Sequence, residues 1–255
     1  LENKMKHYII QIFLLFTCWF FAIPVEAVTK AEADKAYQEK KYQQAIKDYE
    51  SLLHSGVSAS LYYNLGNAYY RTDNITKAIL NYERAALLEP GNSDIRFNLQ
   101  FARSKTIDKF SEPDEMFFIT WYKAIVNFTS VDGWATFSII TITLALIGFL
   151  VYLFVNRIAL RKVGFIVSLV CLLLFVLSIL FAIQQKVAFE NRNGAIIIVP
   201  TVSLKKTPVK NSVDVVIVHE GTKVNIIDRG IRGWYNVRLS DGHEGWLSVS
   251  SVERI

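Results

Sequence analysis

At 255 residues and 52% hydrophobic composition, the chain has room for about two domains besides any membrane segments. Its formal net charge of +5 comes from lysines and arginines interleaved with acids, so no basic stripe marks a nucleic-acid surface. The two cysteines, Cys18 and Cys171, both lie inside apolar runs, which removes disulfides, cysteine-based zinc sites and thiol nucleophiles from the flanking domains.

Lys4 and Lys6 precede an apolar run over 8–23 that ends in Pro24-Val25-Glu26-Ala27. This layout predicts a signal peptide over 1–27, cut after Ala27, with an uncleaved N-terminal anchor as the alternative. Both place Val28 onward outside the cytoplasm.

Residues 28–108 are helical in pattern and repeat with a period of 33: Ala45 and Tyr49 recur as Ala78 and Tyr82, and Tyr37 as Tyr70. A period near this length marks helix pairs that cannot bury their apolar faces alone and stack on their neighbours. The repeats fall at 28–56 and 59–90. A capping helix follows over 93–106, started by Asn92 or Ser93, and its stripe of Ile95, Leu99 and Ala102 would cover the second repeat.

The second copy resembles the tetratricopeptide repeat family in Tyr62, Leu65-Gly66, Tyr69, Ala78, Tyr82, Ala85 and Pro90. The first departs from it, with Ala33 at the glycine position and Ala36 at the first tyrosine position. The resemblance implies a small solenoid whose concave groove binds extended peptides or partner helices. The residues it turns inward and makes the predicted partner-binding set are Lys30 and Tyr37, then Tyr63, Asn64, Asn67 and Tyr70, then Phe97 and Phe101 from the cap. Asp34 stands where a carboxylate-clamping groove of this family needs asparagine, and Asp94 and Asn98 where it needs cations, so a C-terminal carboxylate is not the expected ligand. Tyr49 and Tyr82 are expected to pack between helices; for Tyr63, Tyr70 and Asn67, packing and ligand contact both stay open.

Over 109–133 an acidic breaker, Ser-Glu-Pro-Asp-Glu at 111–115, precedes a stretch dense in aromatics, with Trp121 and Tyr122. It reads as an amphipathic interfacial segment at the lipid headgroups, or as a packed extension of the repeats. The runs 134–156 and 163–183 are uncharged and apolar, and about 20 residues of helix match the roughly 30 Å core of a bilayer. They predict a two-helix transmembrane hairpin. Arg157, Arg161 and Lys162 in the connection 157–162 place that loop in the cytoplasm by the positive-inside rule. Neither run holds an ionisable residue, which favours an anchor over a transport pathway.

From 187 to 255 the periodicity becomes that of strands, predicted at 195–200, 222–227, 234–239 and 244–248, with turns at Glu220-Gly221, 228–233 and Asp241-Gly242. The segment resembles the bacterial SH3 family in Gly221-Thr222, Gly233-Trp234-Tyr235, Gly245-Trp246 and a closing Val252-Glu253-Arg254-Ile255. That resemblance implies an SH3-like barrel that meets partner proteins or peptidoglycan through Trp234 and Tyr235. Ser248 and Ser251 replace the proline and tyrosine of polyproline binders, so that ligand is not carried over. Trp246 reads as a core aromatic at least as readily as a surface one.

The four histidines have no partners at metal-ligand spacing, and no G-x-S-x-G, phosphate loop or H-E-x-x-H occurs. The expectation is a non-enzyme with no cofactor or metal. The fold class is multidomain: an all-α tetratricopeptide solenoid, a two-helix transmembrane hairpin and a C-terminal all-β SH3-like barrel. This order resembles the BatE-type family of the Bacteroides aerotolerance operon. The resemblance implies a non-catalytic scaffold in an inner-membrane stress-tolerance complex, with both folded domains periplasmic and von Willebrand-type domain Bat-family membrane proteins as partners. The alternative is an envelope sensor or tether that binds peptidoglycan through its SH3-like domain.

Overall fold

The computed structural model describes residues 28–110 and 116–255; the predicted signal peptide, 1–27, and the acidic run 111–115 lie outside them. Helix α1 (Lys30–Gln38) starts at a capping box, in which Thr29 accepts from the Glu32 N–H and the Glu32 carboxylate accepts from the Thr29 N–H at 2.7 Å. Helix α2 (Tyr42–Leu53) returns along it and buries Tyr49 over Ala33. The second pair, α3 (Ala59–Arg71) and α4 (Ile75–Leu88), begins at the side-chain caps Ser58 and Asn74. The turn inside each pair holds one residue at positive φ, Lys40 (62°) and Asp73 (61°), again 33 positions apart. Gly66 lies under the Tyr82 ring, where a Cβ would sit 2.7 Å from the ring carbons. Helix α5 (Ser93–Arg103) is capped by Asn92 and lays Ile95, Leu99 and Ala102 on the second pair, as its stripe predicts.

The C-terminal strands form one antiparallel sheet: β1 (Gly194–Ile197), β2 (Thr201–Lys205), β3 (Asp214–His219), β4 (Lys223–Asp228), β5 (Trp234–Arg238), β6 (Glu244–Ser248) and β7 (Val252–Arg254). Their order is β3-β2-β6-β5-β4-β1-β7. The inward residues meet in a single core that runs from Ala195 of β1 to Val252 of β7. Among the described residues, β3 and β7 end the sheet without pairing, so the predicted closed barrel is an open sheet in its hydrogen bonding. The turn glycines Gly221, Gly233 and Gly242 take the left-handed φ that the turns require. Strands β2, β3 and β7 lie outside the four predicted strand segments, and the first strand stops at Ile197, short of Pro200, which has no N–H to give to a ladder.

Strand β1 is apolar throughout because both its faces are buried. Ala195 and Ile197 enter the sheet core, while Ile196, with Ile255 after β7, packs on Ile79 and Leu80 of α4. Helix α4 is consequently enclosed all round: every residue from Ala78 to Glu83 is buried. Polar contacts ring this apolar centre. Glu83, its side chain 5% exposed, receives Arg103 of α5 and, at 2.8 Å, Lys223 of β4. Glu253 receives Lys77 at 2.6 Å and Arg84 at 3.1 Å. Asp108, beyond α5, accepts from the His219 N–H at 2.6 Å and the Thr222 hydroxyl at 2.7 Å. The repeats and the sheet are thus docked directly on one another, a contact absent from the sequence expectation.

Three further helices follow the repeats: α6 (Phe117–Val126), α7 (Val131–Phe154) and α8 (Ile158–Glu190). Helices α7 and α8 are long and apolar enough to cross a membrane. Their seam is lined by small side chains, Thr141, Ala145 and Gly148 against Gly164 and Ser178. A Cβ on Gly164 would lie 2.7 Å from the Gly148 carbonyl oxygen, the close backbone approach by which apolar helices associate without a hydrophobic driving force. The boundaries differ from those expected. Helix α7 starts at Val131, where Ser130 caps it, and not at Trp134; 158–162, expected in the connection, is the first turn of α8. Helix α8 then runs past Ile183 to Glu190, through residues 187–190 that the sequence assigned to the sheet domain. A polar clasp fastens α6 to it: Gln185 Nε2 donates to the carbonyls of Val126 (2.7 Å) and Thr129 (2.8 Å), and the Tyr122 hydroxyl donates to Gln184.

Replacing Glu83 by Ala leaves Arg103 and Lys223 facing each other across the interface, and is expected to lower unfolding stability by about 1–3 kcal/mol. Thermal unfolding of the detergent-solubilised chain checks this. Glu83→Gln, which keeps one acceptor, should recover part of the loss.

Candidate functional site

The repeat helices place a polar ladder along the concave face, and its rungs follow the 33-residue offset. In the first repeat Asp34 accepts from the Tyr49 hydroxyl at 2.6 Å; in the second Asn67 accepts from the Tyr82 hydroxyl at 2.7 Å. The following helix adds a second donor to each: Asn64 to Asp34 at 3.0 Å and Asn98 to Asn67 at 3.0 Å. Lys30 completes the first rung with an ion pair to Asp34 at 2.8 Å. Burial pushes the Asp34 carboxyl up, but hydrogen bonds from Lys30 and Tyr49, the Lys30 charge and the Asn64 amide outweigh it and hold the group below the ordinary aspartate range. Burial, reinforced by the neighbouring Asp34 carboxylate, pushes the Tyr49 hydroxyl well above its usual value and keeps it a donor.

Two adjoining hollows lie on this ladder. One, of about 270 Å³, is lined by Asp34, Tyr37, Asn64 and Asn67; the other, of about 260 Å³, by Tyr37, Asn67, Tyr70, Phe97 and Phe101. Tyr37 and Asn67 belong to both, so the hollows form one groove. Its far wall is aromatic: Phe97 and Phe101 stack with ring planes 2° apart and centroids 6.3 Å apart, and Tyr70 packs 5.7 Å from Phe101. These two phenylalanines stay 68% and 46% exposed. Asn67 uses its oxygen within the ladder, and its Nδ2 donors have no protein partner among the described residues. Such a donor beside open aromatic faces can take the carbonyl of an extended chain while flanking side chains lie on the rings.

Of the residues expected to bind a partner, the structure therefore brings Tyr37, Asn64, Asn67, Tyr70, Phe97 and Phe101 to the groove. Lys30 stands at its edge, tied to Asp34. Tyr63 lines neither hollow; its ring packs against Tyr82 and its hydroxyl accepts from Asn98 at 2.9 Å. Asn98 and Arg71 also line the groove and were not in the expected set. Asn98 stands where the cap helix of a carboxylate-clamping groove supplies a cation, and here it serves the ladder instead.

On the sheet, Trp234 and Tyr235 point to opposite faces, as neighbours in a strand must. Tyr235 sits opposite Leu247 and packs against the core, so it does not share a surface with Trp234. Trp246, paired with Asn236 and Lys205, lies instead on the outer face with Trp234. Arg157 leads into α8, and Arg161 folds back over the Tyr152 ring at 5.5 Å. Among the described residues no group of three or more His, Cys, Asp or Glu side chains is placed to hold a metal ion.

Residues 59–92, which span α3, α4 and the α5 cap, match the tetratricopeptide repeat family. No curated protein matches the chain at significant similarity. A repeat of this kind is an interaction module, so protein partners follow from the match.

Asn67→Ala strips the buried Tyr82 hydroxyl of its acceptor and should cost about 1–3 kcal/mol of stability; equilibrium unfolding measures it. Because the folded Asp34 pKa is depressed, its contribution is complete above the unfolded carboxyl value of about 4 and fades as pH falls through the lower folded value. Asp34→Asn should therefore be less stable than the parent at neutral pH. Its stability should also change less between about pH 5 and pH 2 than that of the parent.

Proposed function

We propose that the chain is a non-catalytic, membrane-anchored scaffold of the BatE type that binds an extended segment of a partner protein in the groove of its repeats. The observation that carries this reading is the asymmetry of the second repeat. Its convex side is sealed by the sheet, while its concave side keeps Phe97 and Phe101 open beside the unpaired Asn67 amide. Binding through Tyr37, Asn64, Asn67, Tyr70, Phe97 and Phe101 follows, with Lys30 and Tyr63 holding the ladder in shape. By the same resemblance the partners are von Willebrand-type domain membrane proteins.

Anchoring by α7 and α8 is supported by their length and by their large outward side chains, which water would not tolerate in such numbers. The docked interface supports a hairpin independently of the charges at Arg157, Arg161 and Lys162. Repeats and sheet lie before and after the two helices, and domains in contact occupy one side of a membrane, which requires an even number of crossings. With a signal peptide at 1–27 that side is the periplasm. Helix α6 supports the interfacial reading, since it is clasped to α8 at Gln184 and Gln185, where the apolar run ends, with Phe117 85% and Trp121 73% exposed.

A second reading has an observation of its own. Trp234 and Trp246 share the outer face of the sheet, a platform on which sugar rings of peptidoglycan could stack if the sheet is an SH3-like module.

Crosslinking in intact cells and co-purification should recover a membrane partner, and Phe97→Ala with Phe101→Ala should reduce that recovery at least about tenfold. Unchanged recovery would reject the groove. Reporters fused near Lys162 and after Ile255 should report cytoplasm and periplasm respectively. Sedimentation of the solubilised full chain with purified cell wall, abolished by Trp234→Ala, would favour the second reading over the first.

A further inference from the structure

Where α8 emerges from its apolar run, a pocket of about 450 Å³ opens between the end of that helix, the second repeat and the last strand. One side of it is cationic, with Arg84, Arg192 and Arg254; the other is apolar, with Val57, Leu87 and Leu88. The arginines are held differently. Arg84 is fixed by Glu253 and by the Arg254 carbonyl at 2.6 Å. Arg192 lies 4.2 Å over the Phe189 ring and donates to the Ile255 carbonyl at 3.0 Å and the Phe189 carbonyl at 3.1 Å. Both guanidinium planes are thereby oriented by the protein. Arg254 is exposed and its side chain makes no hydrogen bond or ion pair among the described residues. Glu253 is shared between Lys77 and Arg84, and Glu190, next to Phe189, pairs with Lys186 at 3.9 Å. Even with a carboxylate counted at Ile255, these five cations outnumber three acids.

Depth decides what such a pocket would meet. This step rests on the proposed reading of α8 as a membrane-spanning helix. The uncharged run ends at Ile183, and at about 1.5 Å per residue Phe189 stands roughly 9 Å beyond it, at the outer edge of the headgroup layer. Helix α6, clasped to Gln184 and Gln185, lies one level below with its aromatics turned outward. One guanidinium oriented by the protein, Arg192, and one free to turn to a ligand, Arg254, at this height beside an apolar wall fit the phosphate of a glycerolipid.

We propose that this pocket binds the phosphate of an anionic glycerophospholipid headgroup, with Arg192 and Arg254 as the phosphate ligands and Val57, Leu87 and Leu88 against the carbons of the headgroup and glycerol. Headgroup capture there pins the sheet and the second repeat against the membrane surface. A peptide carboxylate is disfavoured because the pocket opens at the level of the lipid and not on the groove side of the repeats.

The test uses the full chain reconstituted in nanodiscs of mixed phosphatidylcholine and phosphatidylglycerol, with native mass spectrometry reading the lipids it retains on release. Retention of phosphatidylglycerol over phosphatidylcholine is expected. Arg192→Gln with Arg254→Gln should lower that retention at least about tenfold. Arg254→Gln alone, which breaks no intramolecular contact, should show a smaller loss in the same direction. Equal retention by parent and variants overturns the site. Displacement of the lipid by inorganic phosphate alone overturns the lipid as its source, and displacement by an acidic peptide but not by short-chain phosphatidylglycerol overturns it in favour of a protein ligand. Alkaline extraction of cell membranes separates the two levels of the argument. A chain that stays in the membrane without headgroup selectivity rejects only this pocket, whereas a chain released to the supernatant rejects the anchor as well.

Discussion

A helix enclosed on every side must find partners for its polar residues as well as its apolar ones, and α4 meets that demand with Glu83. Its carboxylate sits between Arg103 of the capping helix and Lys223 of the sheet, so a single buried acid is compensated only when all three elements are assembled. Around it Ile79 and Leu80 meet Ile196 and Ile255, and Asp108 ties the segment after α5 to the β3–β4 turn. The relation between repeats and sheet is therefore set by a specific polar arrangement laid over an apolar contact. The hairpin inserted between them in sequence has to leave and return to the same assembly.

The two sides of the repeats divide their work by chemistry. The convex side is consumed by the dock. On the concave side the Asp34 carboxylate and the Asn67 oxygen are each held by two or more donors, which rigidifies the floor, while the phenylalanines of α5 stay uncovered. The floor then presents amide groups and aromatic faces. That selects for a ligand through its backbone and large side chains more than through its charge.

Much of this was legible in the sequence where one signal acted alone. The 33-residue offset located both helix pairs and the packing of Tyr49 and Tyr82 between helices, because the repeated residues do repeated work; their hydroxyl contacts with Asp34 and Asn67 came only with the structure. The apolar runs located α7 and α8, and the turn glycines located three reversals in the sheet. Boundaries failed where a charged residue was read as the end of an element: Arg161 and Lys162 are helical, and Lys186 does not stop α8. Strand β3 failed because Val215 and Ile217, exposed at the sheet edge, break the alternation that marks a half-buried strand. Trp234 and Tyr235 were paired as neighbours in sequence when the pleat separates them. The dock itself was written in β1, apolar on both faces, and in the unbroken burial of 78–83, but a local pattern tells that a second face is covered without telling by what.

The continuity of α8 has a mechanical meaning. At 33 residues it is a rod of about 50 Å that starts at the hairpin turn and ends three residues short of the sheet. Its upper part is gripped by α6 through Gln185, and the sheet beyond it is gripped by α4. The three residues that join α8 to the sheet are tied back by Arg192 to Phe189 and Ile255, so tilting or twisting the apolar pair would turn the groove with it. With the pair in a bilayer, as proposed, the mouth of the groove would have a set heading over it. The partners it could engage would be those whose own tether delivers the right segment at that height and bearing.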